Sequence, residues 1–320
     1  MFESLRLSFS FVVLFLLQAS SAPAAQSFDV EVTPGDNFAK AEFRLWIEED
    51  HKEPLRGLIV LVPGSNSDGR NAVADPFWQA LARAHGFGLV GVHFKDRRHE
   101  NMAAEHYVDV RRDSGSSFFQ ALQGLAQKAQ RPEVENAPLF LWGMSAGGEF
   151  NYELALWKPE RILGFVVNKG GIYYNVLASK AAREVPGLFF IGEKDSSFRN
   201  DIIRGIYSVN RRFHAHWALA VEPDVGHSVA RSRDLAAIFF EELVALRRNQ
   251  KDTVVPASLK EGGARFSRLP YEKGFFGDPR TLTIESVASA ERKDYPVAWL
   301  ASERLAQAWL AVVTGEPFGE

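Results

Sequence analysis

The chain has 320 residues, 46% of them hydrophobic and 24% charged, a balance that suits one large globular unit with a tail. A formal charge of −3 leaves no basic footprint for nucleic acid or an acidic membrane. The absence of cysteine excludes disulfides, thiolate catalysis and zinc–cysteine centres.

The N-terminus reads as an export signal over residues 1–24. Arg6 supplies a weak positive region, Phe9 to Leu17 an apolar core, and Ala22-Pro23-Ala24 the small residues that precede cleavage before Ala25. The apolar run is short for a membrane span, and a retained anchor is the alternative. An exported chain without disulfides suggests a bacterial periplasmic or secreted protein stabilised by the size of its core.

Phe28–Thr33 and Ala41–Ile47 alternate apolar and polar around Pro34-Gly35-Asp36-Asn37, as an antiparallel edge hairpin does. Gly57–Pro63 (GLIVLVP) and Gly88–Phe94 (GLVGVHF) are continuous apolar runs, as buried parallel strands require. A helix over Phe77–His85 separates them. Ser114–Gln130 reads as a helix with Leu122, Leu125 and Ala126 on its apolar side. Pro138–Trp142 is the next buried strand, followed by a helix over Glu149–Trp157. Ile162–Val167, Gly187–Ile191 (GLFFI) and Trp217–Val221 (WALAV) complete the strands, and Arg231–Leu246 is a closing amphipathic helix.

Two antiparallel strands followed by about six parallel ones imply a doubly wound α/β sheet with right-handed crossovers. The expected fold is an eight-stranded, mostly parallel sheet with helices on both faces, in the α/β-hydrolase order. Only Gly171–Pro186 lies between the sixth and seventh strands, so no large lid is expected. The catalytic unit is expected over 25–248, and 249–320 as a linker and C-terminal strap. In that tail Leu305, Trp309 and Val312 recur at helical spacing, with a helix from about Glu303 to Val313. A polymer-binding aromatic strip is the alternative reading of the tail.

The chemistry is concentrated at Gly143-Met144-Ser145-Ala146-Gly147, directly after a buried strand and before a helix. A serine between two glycines in that context is a nucleophile elbow, with its hydroxyl at the carboxyl edge of the sheet. A serine hydroxyl needs a base to take its proton, and the base needs a carboxylate to fix its tautomer. The required chain order is serine, acid, histidine. Asp195, in IGEKD after the seventh strand, is the expected acid, with Glu193 as runner-up and a helix cap as the bland reading. His227, in PDVGHS after the last strand, is the expected base. His85, His93, His99 and His106 precede the serine and do not fit the order.

The oxyanion formed during acyl transfer needs two donors. The N–H of Ala146 is one, and the N–H of Ser65, in the loop Val62–Gly69, is the expected other, with Asn66 as a further donor. Tyr173 and Tyr174, just past the sixth strand, either line the acyl side or pack at the strand end. His214 and His216 alternate as on one face of a strand, toward solvent or a polar pocket. No set of histidines has metal-ligand spacing, and no metal or cofactor is expected.

VLVPGSNSDGR, GMSAGGEFNYELAL, IGEKD and EPDVGHSVARSRDLAAIFFEEL, in that order, resemble exported α/β-hydrolases of the esterase group. That group is similar to polyhydroxybutyrate depolymerases and to feruloyl and acetylxylan esterases. The resemblance spans roughly residues 55 to 247. Where the group commonly has His-Gly in the oxyanion loop, this chain has Pro63-Gly64. The resemblance implies a cofactor-free serine esterase acting on a small or polymer-borne ester. A serine peptidase of the same fold and a catalytically dead binding module are the alternatives. The sequence does not fix the oligomeric state.

Overall fold

The computed structural model describes residues 25–247, 267–291 and 295–318. The segment expected as an export signal, residues 1–24, and the expected linker before residue 267 lie outside the described residues.

Eight strands form one sheet: β1 Ala25–Val32, β2 Lys40–Glu48, β3 Gly57–Val62, β4 Phe87–Lys95, β5 Leu139–Gly143, β6 Ile162–Asn168, β7 Gly187–Gly192 and β8 Trp217–Glu222. Their order across the sheet is β1-β2-β4-β3-β5-β6-β7-β8. β2 is antiparallel to both β1 and β4, so β1 runs with the six parallel strands and only β2 runs against them.

The parallel strands have no polar face because both faces are covered. In β3, Leu58, Val60 and Val62 point into one core and Ile59 and Leu61 into the other. The first core is roofed by α2 (Asp113–Ala129), α4 (Ala146–Trp157) and α6 (Ser197–Arg211), through Phe118, Phe150 and Ile203. The second is roofed by α1 (Pro76–His85), α7 (Ser232–Arg247) and α8 (Glu303–Thr314), through Trp78, Phe239 and Trp309. Two single-turn helices, α3 (Glu133–Asn136) and α5 (Lys180–Arg183), fill connections. Two of the long helices, α1 and α8, start at side-chain caps. Asp75 accepts the Phe77 N–H at 2.9 Å, and Ser302 accepts the Leu305 N–H at 3.1 Å.

The tail adds a small sheet that periodicity does not reveal: β9 Phe275–Asp278, β10 Thr283–Ser286 and β11 Ala298–Leu300. Trp299 and Trp309 are buried, and Trp309 Nε1 donates to the Leu219 carbonyl at 2.9 Å. Trp299 and Trp309 are therefore packed against the main body and are not part of an exposed aromatic strip. His214 and His216 share no strand face. His214 sits in a turn at φ 58° and is exposed, whereas His216 is buried and stacks on Trp299 with ring centres 4.3 Å apart. Among the described residues no helix is long and apolar enough to cross a membrane.

Candidate active site

Every parallel strand delivers a loop to the same carboxyl edge. Ser145 stands at the end of β5 with φ 54° and ψ −125°, a conformation few non-glycine residues adopt. The flanking glycines answer to close approach. A Cβ at Gly143 would fall on the Gly147 backbone, and one at Gly147 on the Val62 carbonyl oxygen. The elbow is tied to β6 by the Ser145 N–H, which donates to the Asn168 carbonyl at 2.8 Å. α4 begins directly at Ala146, whose N–H heads the helix and has no intrahelical acceptor.

Strand order and elbow together decide the architecture. This is the α/β-hydrolase fold. No family model matches the sequence, and no curated protein does. Solved structures similar to this chain include a ferulic acid esterase, 12% identical with a TM-score of 0.49 over 69% of this chain and 96% of that one. An S-formylglutathione hydrolase from Agrobacterium tumefaciens is 13% identical, TM-score 0.48, over 70% and 96%. A dienelactone hydrolase from Anabaena variabilis is 17% identical, TM-score 0.44, over 69% and 97%.

Around the elbow the α/β-hydrolase loops bring the expected residues to one edge. His227 Nδ1 lies 2.8 Å from Asp195 Oδ2. The other oxygen, Asp195 Oδ1, accepts the Ser196 N–H at 2.7 Å and Arg199 Nη1 at 3.0 Å. Burial pushes the Asp195 pKa up. The hydrogen bonds from His227 and Ser196 and the nearby charges of His227 and Arg199 outweigh it and hold the carboxyl below its ordinary value. Glu193, the runner-up acid, is exposed and accepts the Asp224 N–H at 2.9 Å instead. Among the described residues no hydrogen bond joins Ser145 Oγ to His227, whose Nδ1 is engaged by Asp195.

The loop after β3 reaches Ser145. A Cβ at Gly64 would stand 3.6 Å from Ser145 Cβ, which sets the exposed Ser65 beside the elbow. Asn66, expected as a donor to substrate, braces the loop. Its Oδ1 accepts the Asp96 N–H at 2.7 Å and its Nδ2 donates to Ser65 Oγ at 3.1 Å. Tyr173 packs rather than lines: its ring meets Tyr152 edge-on at 5.0 Å and joins the first core. Tyr174 is exposed at the rim, its hydroxyl donating to the Glu105 carbonyl at 3.3 Å.

Two glutamates that sequence reasoning passed over shape the other wall. Glu149 and Glu153, one turn apart on α4, are both buried. Glu149 Oε1 accepts the N–H groups of Gly171 at 2.5 Å and Ile172 at 3.0 Å. Glu153 Oε1 accepts those of Tyr174 at 2.7 Å and Asn175 at 2.9 Å. The segment after β6 is thus pinned to α4. Burial pushes the Glu149 pKa up to about 7 despite these donors, and among the described residues its buried Oε2 has no hydrogen-bond partner.

A raised carboxyl pKa means the folded state holds the proton more tightly than the unfolded state. The associated stability is present at low pH and is lost as pH rises toward about 7. Glu149→Gln, which cannot ionise, is expected to gain stability relative to wild type between pH 5 and pH 8.5, on the order of 3 kcal/mol. Urea unfolding at the two pH values measures it. An equal difference at both would mean Glu149 ionises at its ordinary pKa.

One place among the described residues gathers three potential metal ligands: Glu42, Asp68 and His93. Arg70 Nη2 already lies 2.6 Å from Asp68 and 3.2 Å from Glu42, so a guanidinium neutralises the two carboxylates.

Proposed function

We propose that the protein is an exported serine hydrolase that cleaves carboxylic esters through an acyl-enzyme. The observation that carries this reading is the His227–Asp195 pair on the sheet edge where Ser145 sits in a strained elbow. In this mechanism His227 takes the Ser145 proton as the oxygen attacks the ester carbonyl. The N–H groups of Ala146 and Ser65 hold the oxyanion. His227 returns the proton to the departing alcohol, and water then repeats the sequence on the acyl-enzyme. Export is supported by the Phe9–Leu17 run and the small residues after it.

The crevice is open. The segment between β6 and β7 contributes only α5 and the pinned loop. Exposed apolar side chains at the carboxyl edge, Met102, Tyr174, Val176 and Leu177 on loops and Phe198 in the first turn of α6, favour an ester with apolar groups. The expected specificity is for short or bulky planar acyl groups. The test is kcat/KM for p-nitrophenyl acetate, butyrate and palmitate, with methyl ferulate alongside. Preference for palmitate with activation at a lipid interface would refute the open site, and peptide cleavage without ester cleavage would favour the peptidase reading.

A further inference from the structure

Lys169 follows β6 at the same edge, is completely buried, and adopts φ 55°, a left-handed conformation uncommon for a lysine. Its partner is fixed: Nζ is ion-paired with Glu222, itself buried, and donates to Asn168 Oδ1 at 3.0 Å. A buried ion pair is weak evidence for stability, because desolvating two charges offsets most of their attraction. Its location is therefore the informative part.

Lys169 stands beside the elbow, since Asn168, the residue before it, accepts the Ser145 N–H. Its own N–H donates to the Phe190 carbonyl of β7 at 3.0 Å. Its side chain then meets Glu222 at the end of β8, two strands from β6, a gap of about 10 Å that needs two long side chains. Glu222 opens the loop that holds His227. Its second carboxylate oxygen accepts the N–H of Arg231, where that loop ends, at 2.9 Å. The Glu222 carbonyl accepts the Glu193 N–H at 3.0 Å, and Lys194 N–H donates to Val225 at 2.8 Å, so the Asp195 loop is fastened to the same unit.

We propose that Lys169 is a positioning residue: its clamp on Glu222 sets the loops of His227 and Asp195 at a fixed height over the elbow of Ser145. This rests on the serine-hydrolase reading above. The clamp acts on geometry between the nucleophile and its base, so its loss lowers turnover and leaves substrate binding intact. A structural role alone would lower stability and spare turnover in whatever protein remains folded.

The test variant is Lys169→Met with Glu222→Gln. It removes both charges and keeps an amide oxygen for the Arg231 N–H. The expected result is a folded protein with wild-type Tm or nearly so, kcat for p-nitrophenyl acetate down 10- to 100-fold, and KM within twofold. Phosphonylation of Ser145 by a fluorophosphonate probe should slow by the same factor. Should the pair fail to fold, Glu222→Gln alone carries the test, with a kcat loss of at least fivefold at unchanged KM expected. Wild-type kcat in either folded variant overturns the proposal. A Ser145→Ala control separates the two ideas: an inactive control with a fully active pair variant removes only the clamp, whereas an active control removes the serine-hydrolase reading beneath it.

Discussion

Ser145→Ala is expected to fold like wild type and to lose ester hydrolysis almost completely. Among the described residues the Ser145 hydroxyl makes no hydrogen bond that the fold depends on, and alanine takes up no more room than serine at the elbow. Positive φ is no easier for alanine, so the strain at this position is unchanged. Removing the serine of such a catalytic set costs on the order of 10⁶ in turnover. The measurement is kcat for p-nitrophenyl acetate on purified protein, with far-ultraviolet circular dichroism to establish folding. A folded variant retaining a tenth of wild-type turnover would place the reaction on some other group.

The strands were readable because each parallel strand is buried on both faces. GLIVLVP, GLVGVHF and GLFFI contain no polar residue a solvated face would need, apart from His93 near the end of its strand. The elbow and the Asp195 and His227 loops were readable because chemistry fixes residue type and chain order. What escaped is instructive. β9, β10 and β11 are three or four residues long, too short for a period to register. α4 starts three residues before its periodic segment suggests, since Gly147 and Gly148 mask its first turn, and it is buried almost all round. Glu149 and Glu153 therefore look like a solvated helix face in sequence and are anchors in the fold. Lys169 and Glu222 lie more than fifty residues apart, and only the β6-β7-β8 order brings them together. Asn66 and Tyr173 were placed in the right loops, but a side chain's direction depends on partners that pattern does not encode.

Asp195→Asn is expected to leave the fold intact and to lower turnover by about 10⁴, the loss that follows when the acid of an equivalent catalytic set becomes an amide. The local hydrogen bonds decide the direction. Oδ1 receives two donors, the Ser196 N–H at 2.7 Å and Arg199 Nη1 at 3.0 Å. An asparagine would keep its carbonyl oxygen there and turn its NH₂ toward His227. That NH₂ can only donate, so His227 Nδ1 would have to accept and the ring proton would move to Nε2. Nε2 is the nitrogen that must be free to take the Ser145 proton, so the base is disabled by its tautomer with little displacement. In wild type the Asp195 carboxyl lies below its ordinary pKa, so it remains ionised throughout the near-neutral range. The acid limb of a kcat/KM profile between pH 5 and 8 is therefore expected not to come from Asp195. In Asp195→Asn, activity should recover partly at alkaline pH, where hydroxide can substitute for the lost base. A variant within tenfold of wild type at pH 7 would remove Asp195 from the mechanism and return Glu193 as the acid to test.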